Sequence, residues 1–108
     1  MAKYLSPFAE RQFEDANGNP YSGAKLFTYE AGTSTKVTTH KDINGASSHA
    51  NPIILNTRGE PADGSGVTYP IYTDGGANLK YVLAPSTDTD PPVSAISTWD
   101  NIPSINDV

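Results

Sequence analysis

The chain has 108 residues, a length that one hydrophobic core commonly serves, so we expect a single domain. It has no cysteine, which excludes disulfide bonds and thiolate metal sites, and its net charge of −5 argues against an extended nucleic-acid surface. No apolar run approaches the roughly 20 residues of a membrane span. We therefore expect a soluble protein that folds in the cytoplasm and has neither membrane nor nucleic-acid partners.

Short segments rich in β-branched and aromatic residues follow one another along the chain, separated by turn signals. Strands with such punctuation predict an all-β domain, and no window of helical length shows a sustained 3.6-residue apolar period. We therefore expect a small, mostly antiparallel, sandwich-like β-sheet domain. The predicted strands are Ala24–Glu30, Lys36–His40, Ile53–Asn56, Val67–Thr73, Leu79–Ala84 and Val93–Trp99.

Changes in composition divide this single domain into successive parts. These are an N-terminal arm (1–11), the main β region (12–84), a loop rich in proline, threonine and aspartate (85–92), a late strand (93–102) and a lead-out segment (103–108). In the main region, a Gly-Thr corner followed by threonines predicts that Ala24–Glu30 and Lys36–His40 pair as a hairpin.

Two of the turns share one pattern, in which an aspartate is followed closely by Asn-Gly. The aspartate can accept a backbone N–H, and Asn-Gly tolerates positive φ. Two further glycines are expected to turn the chain, one after the first long strand and one after the Ile-Ile-Leu strand. The predicted turn residues are Asp15, Asn17, Gly18, Gly32, Asp42, Asn44, Gly45 and Gly59.

The strands carry apolar residues on both faces. In the first long strand, Phe27 and Tyr29 share one face while Leu26 lies on the other. With only 36% hydrophobic residues, a short chain of this kind often gains stability from a partner subunit. Four aromatic side chains are candidates either for a subunit interface or for the core: Phe27, Tyr29, Tyr69 and Trp99.

The sequence contains no arrangement typical of catalysis. Asp88 and Asp90 are close together, but they lie in a polar loop and are interpreted as solvated carboxylates. His40 and His49, without cysteine or a well-spaced carboxylate, are a weak metal signal and are interpreted as surface or loop histidines. We assign no catalytic residue, no metal ligand and no cofactor.

Four segments in fixed order carry a family resemblance: "QFEDANGNPYSGAKLFTYEAGTSTKVTTHKD", "NPIILNTRGEP", "PIYTDGGANLKYVLA" and "STWDNI". The chain from about Gln12 to Ile102 resembles the N-terminal head-binding domains that anchor bacteriophage tailspikes and tail fibres to the virion. The resemblance implies a homotrimeric β-domain in the phage tail, folded in the host cytoplasm. Its partners would be its sister chains and a tail or head–tail connector protein, and any polysaccharide-cleaving activity would belong to another part of the full-length protein.

Two other classes of protein remain open. A prealbumin-like (carboxypeptidase-regulatory-like) β-sandwich appendage shares the pattern of the first half, up to about Asp42, but leaves "NPIILN" and "STWDNI" unexplained. A carbohydrate-binding module could use the six tyrosines as a platform. Oligomeric mass and binding to soluble sugars separate the three classes.

Overall fold

The computed structural model describes residues 3–105, and this part of the chain is all-strand with two antiparallel sheets. The predicted fold class, a small and mostly antiparallel all-β domain, is confirmed. The strands are β1 (Tyr4–Leu5), β2 (Lys25–Glu30), β3 (Ile53–Ile54), β4 (Tyr72–Thr73), β5 (Leu79–Ala84) and β6 (Ser97–Ile102).

The larger sheet has the strand order β3-β2-β5-β6, and every pairing in it is antiparallel. Its centre is the β2–β5 pair, in register over six residues with Phe27 opposite Val82. Both strands lie close to where the sequence predicts them, because each carries apolar residues on both faces and is buried on two faces.

The two faces of the larger sheet carry separate apolar clusters, so the predicted two-sided burial is confirmed. On one face, Leu26 belongs to the main core, in which strand residues pack against Phe8 and Phe13 of the N-terminal region and against Ile71. On the other face a smaller cluster contains Phe27, Tyr29, Val82 and Ala84.

The predicted strand at Lys36–His40 is wrong. The segment makes isolated bridges at Lys36 and His40, and the predicted hairpin forms only at its start, where Val37 donates its N–H to the Thr28 carbonyl at 3.0 Å but the Thr28 N–H does not donate to the Val37 carbonyl. The side chain of Asn51 takes the ladder position instead: its amide oxygen accepts the N–H of Thr28 at 3.1 Å and its amide nitrogen donates to the Thr28 carbonyl at 2.8 Å. The same nitrogen donates to the Val37 carbonyl at 3.1 Å, so one side chain stands between two backbone segments.

The N-terminal arm is part of the body. β1 pairs with β4, and the Ser6 hydroxyl lies 2.6 Å from the Tyr81 hydroxyl in the core. Of the other predicted strands, Ile53–Asn56 and Val67–Thr73 are shortened to two-residue strands and Val93–Trp99 is shifted toward the C-terminus.

Candidate functional site

Three loops of the chain have the same hydrogen-bonded geometry, and a fourth shares part of it. In the first, Asp15 Oδ1 accepts the N–H groups of Asn17 and Asn19, both at 2.9 Å. The Asp15 carbonyl accepts the N–H of Gly18 at 3.0 Å, and Gly18 has a φ of 81°. The loop therefore needs a side-chain acceptor at its first position and a glycine at its fourth, since positive φ favours glycine.

Two further loops repeat this geometry at 56–60 and 63–67. Asn56 Oδ1 accepts the N–H groups of Arg58 and Glu60 at 2.9 and 3.1 Å. Asp63 Oδ1 accepts those of Ser65 and Val67 at 2.7 and 3.1 Å. In each loop the glycine at the fourth position also donates to the carbonyl of the first residue, as Gly18 does.

The loops at 15–19, 56–60 and 63–67 lie together, and we call them the three-loop end. Phe13 donates its N–H to the Gly59 carbonyl at 2.8 Å, which joins the first loop's stem to the second loop. The Asn56 side chain donates to the Gly66 carbonyl at 3.4 Å, which joins the second loop to the third. Residues 10–20 and 56–68 carry five carboxylates against two cationic side chains, so most of the net negative charge lies at this end.

The fourth loop, at Asp42, lies at a different place. Asp42 Oδ1 accepts the N–H of Ala46 at 2.8 Å, and Gly45 packs against the side chain of Lys3. Lys3 N donates to the Ile43 carbonyl at 2.6 Å, and Ile105 N donates to the Leu5 carbonyl at 2.8 Å. The first and last described residues are therefore neighbours, and we call this region the exit end.

The two ends lie at opposite extremities of the strands. β2 begins beside the three-loop end, where Gly23 donates to the Asn56 carbonyl, and it finishes at Glu30, in the row that contains Leu79 and Ile102. The 68–73 segment likewise runs from a bridge between Thr68 and Ala62 to β4 at the exit end. The domain thus has a polarity along its strands.

Hydrogen bonds lower the pKa values of three carboxylates at the three-loop end, those of Asp15, Glu60 and Asp63. The N–H of Asn19 lowers the pKa of Asp15, and that of Ser65 lowers the pKa of Asp63. The Arg58 side chain, whose Nε lies 2.8 Å from Glu60 Oε1, lowers the pKa of Glu60. These groups are negative throughout the neutral range.

A cavity of about 290 Å³ opens beside the three-loop end. Its lining residues are Glu10, Glu60, Pro61, Thr68, Tyr69 and Pro70. The ammonium of Lys41 lies 4.7 Å from the centre of the Tyr69 ring, in a cation–π contact. The cavity therefore combines an aromatic wall, a hydroxyl and two carboxylates.

The 85–94 loop is organised by Asp88, whose interpretation as a solvated carboxylate is wrong. Asp88 is only 7% exposed, and its carboxylate accepts the N–H groups of Thr89, Val93 and Ser94 at 2.8 to 3.0 Å. These donors, that of Val93 foremost, lower the pKa of Asp88. Lys25 Nζ reaches the Asp88 carbonyl at 2.5 Å, so the loop is fastened to β2.

The two histidines occupy different environments, and His49 is a loop histidine that is buried rather than exposed. His49 is buried, and its Nε2 donates to the Pro70 carbonyl at 2.8 Å. Burial lowers the pKa of His49. His40 Nε2 lies 2.9 Å from Asp74 Oδ1, and the same oxygen accepts Lys3 Nζ at 2.7 Å.

The four aromatic candidates are not brought together. Phe27 and Tyr29 are buried in the smaller cluster of a single chain. Trp99 is half-buried on the main core, where the Arg11 guanidinium lies 5.3 Å from its ring. Tyr69 is half-buried and lines the cavity.

The predicted turn residues are divided between the two ends. Asp15, Asn17, Gly18 and Gly59 belong to the three-loop end, whereas Asp42, Asn44 and Gly45 form the fourth loop. Gly32, with a φ of 73°, ends β2 and donates to Asp100 Oδ1 at 2.9 Å. The first positions of two loops, Asn56 and Asp63, were not predicted as acceptors, although the spacing of an acceptor three residues before a glycine was present in both.

Within residues 3–105, no helix is long and apolar enough to cross a membrane. In the same range, no three or more His, Asp or Glu side chains are grouped so that they could hold a metal ion. No protein-family model and no curated protein was found to match the chain.

Proposed function

We propose that this domain is a virion-attachment module, which anchors a phage tailspike or tail fibre to the particle as a homotrimer. The observation that carries the proposal is the polarity of the domain. The first and last described residues meet at the exit end, while three hydrogen-bonded loops stand at the opposite extremity. An anchor needs this division, because one end must bind the particle while the other carries what is displayed.

The three-loop end supplies the surface for the particle. Each loop is closed by its own side-chain acceptor, so its shape is preorganised and little conformational entropy is lost on binding. The partner under this proposal is a tail or head–tail connector protein. Charge at the rim tunes such docking rather than driving it, so moderate salt should not release the anchor from purified particles.

Trimer contacts are assigned to the exit end. Phe27 is fully buried within one chain, so a substitution there would test folding rather than assembly. Large apolar side chains that remain exposed at the exit end are Tyr4, Ile43 and Ile105, with Ile43 at 51%. Around a threefold axis each such contact is repeated three times.

The proposal assigns no reaction, no cofactor and no metal to these residues. The Asp88 carboxylate is engaged by three backbone N–H groups, and His49 donates to a backbone carbonyl. Groups engaged in this way stabilise loops. Any polysaccharide cleavage in the full-length protein is assigned to another part of it.

Competition for particles tests the attachment function. Purified domain should bind to phage particles that lack their own tailspikes or fibres, and should block reattachment of the full-length protein. The domain carrying Asn56→Ala, which removes the acceptor of one loop, should compete more weakly than a domain with Asn44→Ala in the fourth loop. Failure of the folded wild-type domain to bind such particles would contradict the proposal and favour a rigid β-sandwich appendage.

A further inference from the structure

The cavity at Tyr69 has the chemistry of a site for a cationic side chain. Its volume of about 290 Å³ exceeds what one guanidinium or ammonium group needs, and its wall includes the aromatic side chain of Tyr69. Two carboxylates, those of Glu10 and Glu60, line the same space. The Glu60 carboxylate is held ionised by Arg58, so its negative charge is present at neutral pH.

An internal cation already shows that the Tyr69 ring accepts positive charge. Lys41 Nζ lies 4.7 Å from the ring centre, although Lys41 does not line the cavity. A neutral ligand would use the ring but not the Glu10 carboxylate, whereas Glu60 is already paired with Arg58 at 2.8 Å.

We propose that this cavity binds an arginine or lysine side chain of the protein to which the domain docks. The inference rests on the proposed attachment function and names the chemistry of its partner. The cavity lies between the N-terminal region, which contributes Glu10, and the stem of the third loop, which contributes Thr68. A basic side chain inserted there would contact both the N-terminal region and the third loop, and so would help to fix the orientation of the docked domain.

The test is a titration of the isolated domain with acetyl-arginine amide, followed by the backbone amide resonances of Glu60, Thr68 and Tyr69. We expect shifts confined to the cavity, with a dissociation constant on the order of 10 mM, since one cation–π contact and half-exposed ion pairs are individually weak. Acetyl-alanine amide at the same concentration should leave these resonances unchanged.

Four variants make the titration specific. Glu10→Gln and Tyr69→Leu should each weaken binding by about threefold or more, whereas Glu14→Gln, an exposed carboxylate of the same end that does not line the cavity, should leave it unchanged. Lys41→Gln should strengthen binding, by about twofold, because it removes a neighbouring like charge.

Other results would overturn the inference. Shifts spread over all acidic loops, or an equal loss in Glu14→Gln, would show unspecific attraction. Shifts caused by glucose or galactose but not by acetyl-arginine amide would assign the cavity to a neutral sugar. A domain that docks on particles normally when it carries Glu10→Gln and Tyr69→Leu would contradict the inference alone, whereas a wild-type domain that binds the amide but never docks would contradict the attachment function.

Discussion

Asp15 and Asn56 are chemically different side chains that have the same role in the structure. Each accepts the N–H groups two and four residues later, and each is followed at the fourth position by a glycine with positive φ. The sequence predicted the loops that begin with aspartate and contain Asn-Gly. It did not predict that Asn56 is the acceptor of an equivalent loop, because "NTRG" lacks the Asn-Gly pair on which the prediction depended.

Gly59→Ala should be among the most destabilising single changes in the loops. A Cβ at Gly59 would lie well inside contact distance of the Phe13 carbonyl oxygen, and the φ of 76° disfavours any side chain. We expect a loss of about 2–4 kcal/mol in the free energy of unfolding, measured by urea denaturation. Gly64→Ala is the matched control: no atom lies within 4 Å of its Cβ position, so it should cost less than about 1 kcal/mol. Equal losses for the two variants would contradict this account of Gly59.

His49 should make the domain less stable in mild acid. Its folded-state pKa lies below the usual 6.5, because burial disfavours the charged ring. Between these two pKa values the unfolded chain binds more protons than the folded one, so stability falls as the pH drops below about 6.5. The carboxylates with lowered pKa values contribute their pH dependence only below about 4, where the unfolded chain becomes protonated.

Urea denaturation at pH 7.5 and pH 5.5 measures the effect of His49. The wild-type domain should be less stable at pH 5.5, by no more than about 1.4 kcal/mol, because a single proton taken up only by the unfolded chain over the one pH unit below 6.5 sets that limit. Groups that face His49 are the Lys41 ammonium and the His40 ring, and both oppose its protonation. His49→Gln should show a smaller loss; an unchanged pH dependence in that variant would assign the effect to another group.

At the scale of elements, the central strands could be predicted and the short ones could not. β2 and β5 carry apolar residues on both faces, and this pattern indicates that both faces are buried. Lys36–His40 has the β-branched composition of a strand, yet its pairing with β2 stops at Val37, where the Asn51 side chain bonds to both Thr28 and the Val37 carbonyl. A contact between residues more than ten positions apart decides the outcome there, and local propensity does not contain that information.

Asp88→Asn should loosen the 85–94 loop without unfolding the domain. The change keeps the shape of the side chain but removes the charge that three N–H groups share, and it leaves one of those donors facing an amide nitrogen. We expect a lower thermal midpoint, by about 5 °C, and faster amide hydrogen exchange at Val93 and Ser94.

Asp90→Asn is the control for the 85–94 loop. Asp90 lies in the same loop, but its carboxylate is largely exposed and pairs with Lys36. Exposed ion pairs of this kind contribute little, so its thermal midpoint and exchange rates should stay near those of the wild-type domain. Faster exchange in this control, equal to that of Asp88→Asn, would contradict the assignment of the loop to Asp88.

At the scale of the whole molecule, the aromatic residues that composition suggested for a subunit interface are not the apolar residues that are exposed in the structure. The lean composition and two-sided strands led us to place Phe27 and Tyr29 either at a subunit interface or in the core, and they lie in the core of one chain. The approach of Asp90 to this face could not be predicted from the local sequence: burial and, after it, the charge of Asp90 raise the pKa of Tyr29. The exposed apolar residues at the exit end had no signal in the sequence that distinguished them from core residues.

Ile43→Asp tests whether the exit end is the trimer contact. A carboxylate at this 51% exposed position is compatible with the folded chain but unfavourable in an apolar contact. The concentration below which the trimer dissociates should therefore rise about tenfold or more. Val67→Asp is matched in exposure at 52% and lies at the three-loop end, so it should leave the trimer unchanged. Size-exclusion chromatography over a dilution series measures both, and a trimer weakened only by Val67→Asp would place the contact at the other end.

Sedimentation equilibrium of the wild-type domain at micromolar concentration tests the central claim, that this is a trimeric anchor. The account predicts one species of about three times the 11.5 kDa of a single chain, with a mass that stays constant from low to high micromolar concentration. A folded chain that remains at 11.5 kDa throughout this range would contradict the trimer and, with it, the anchor.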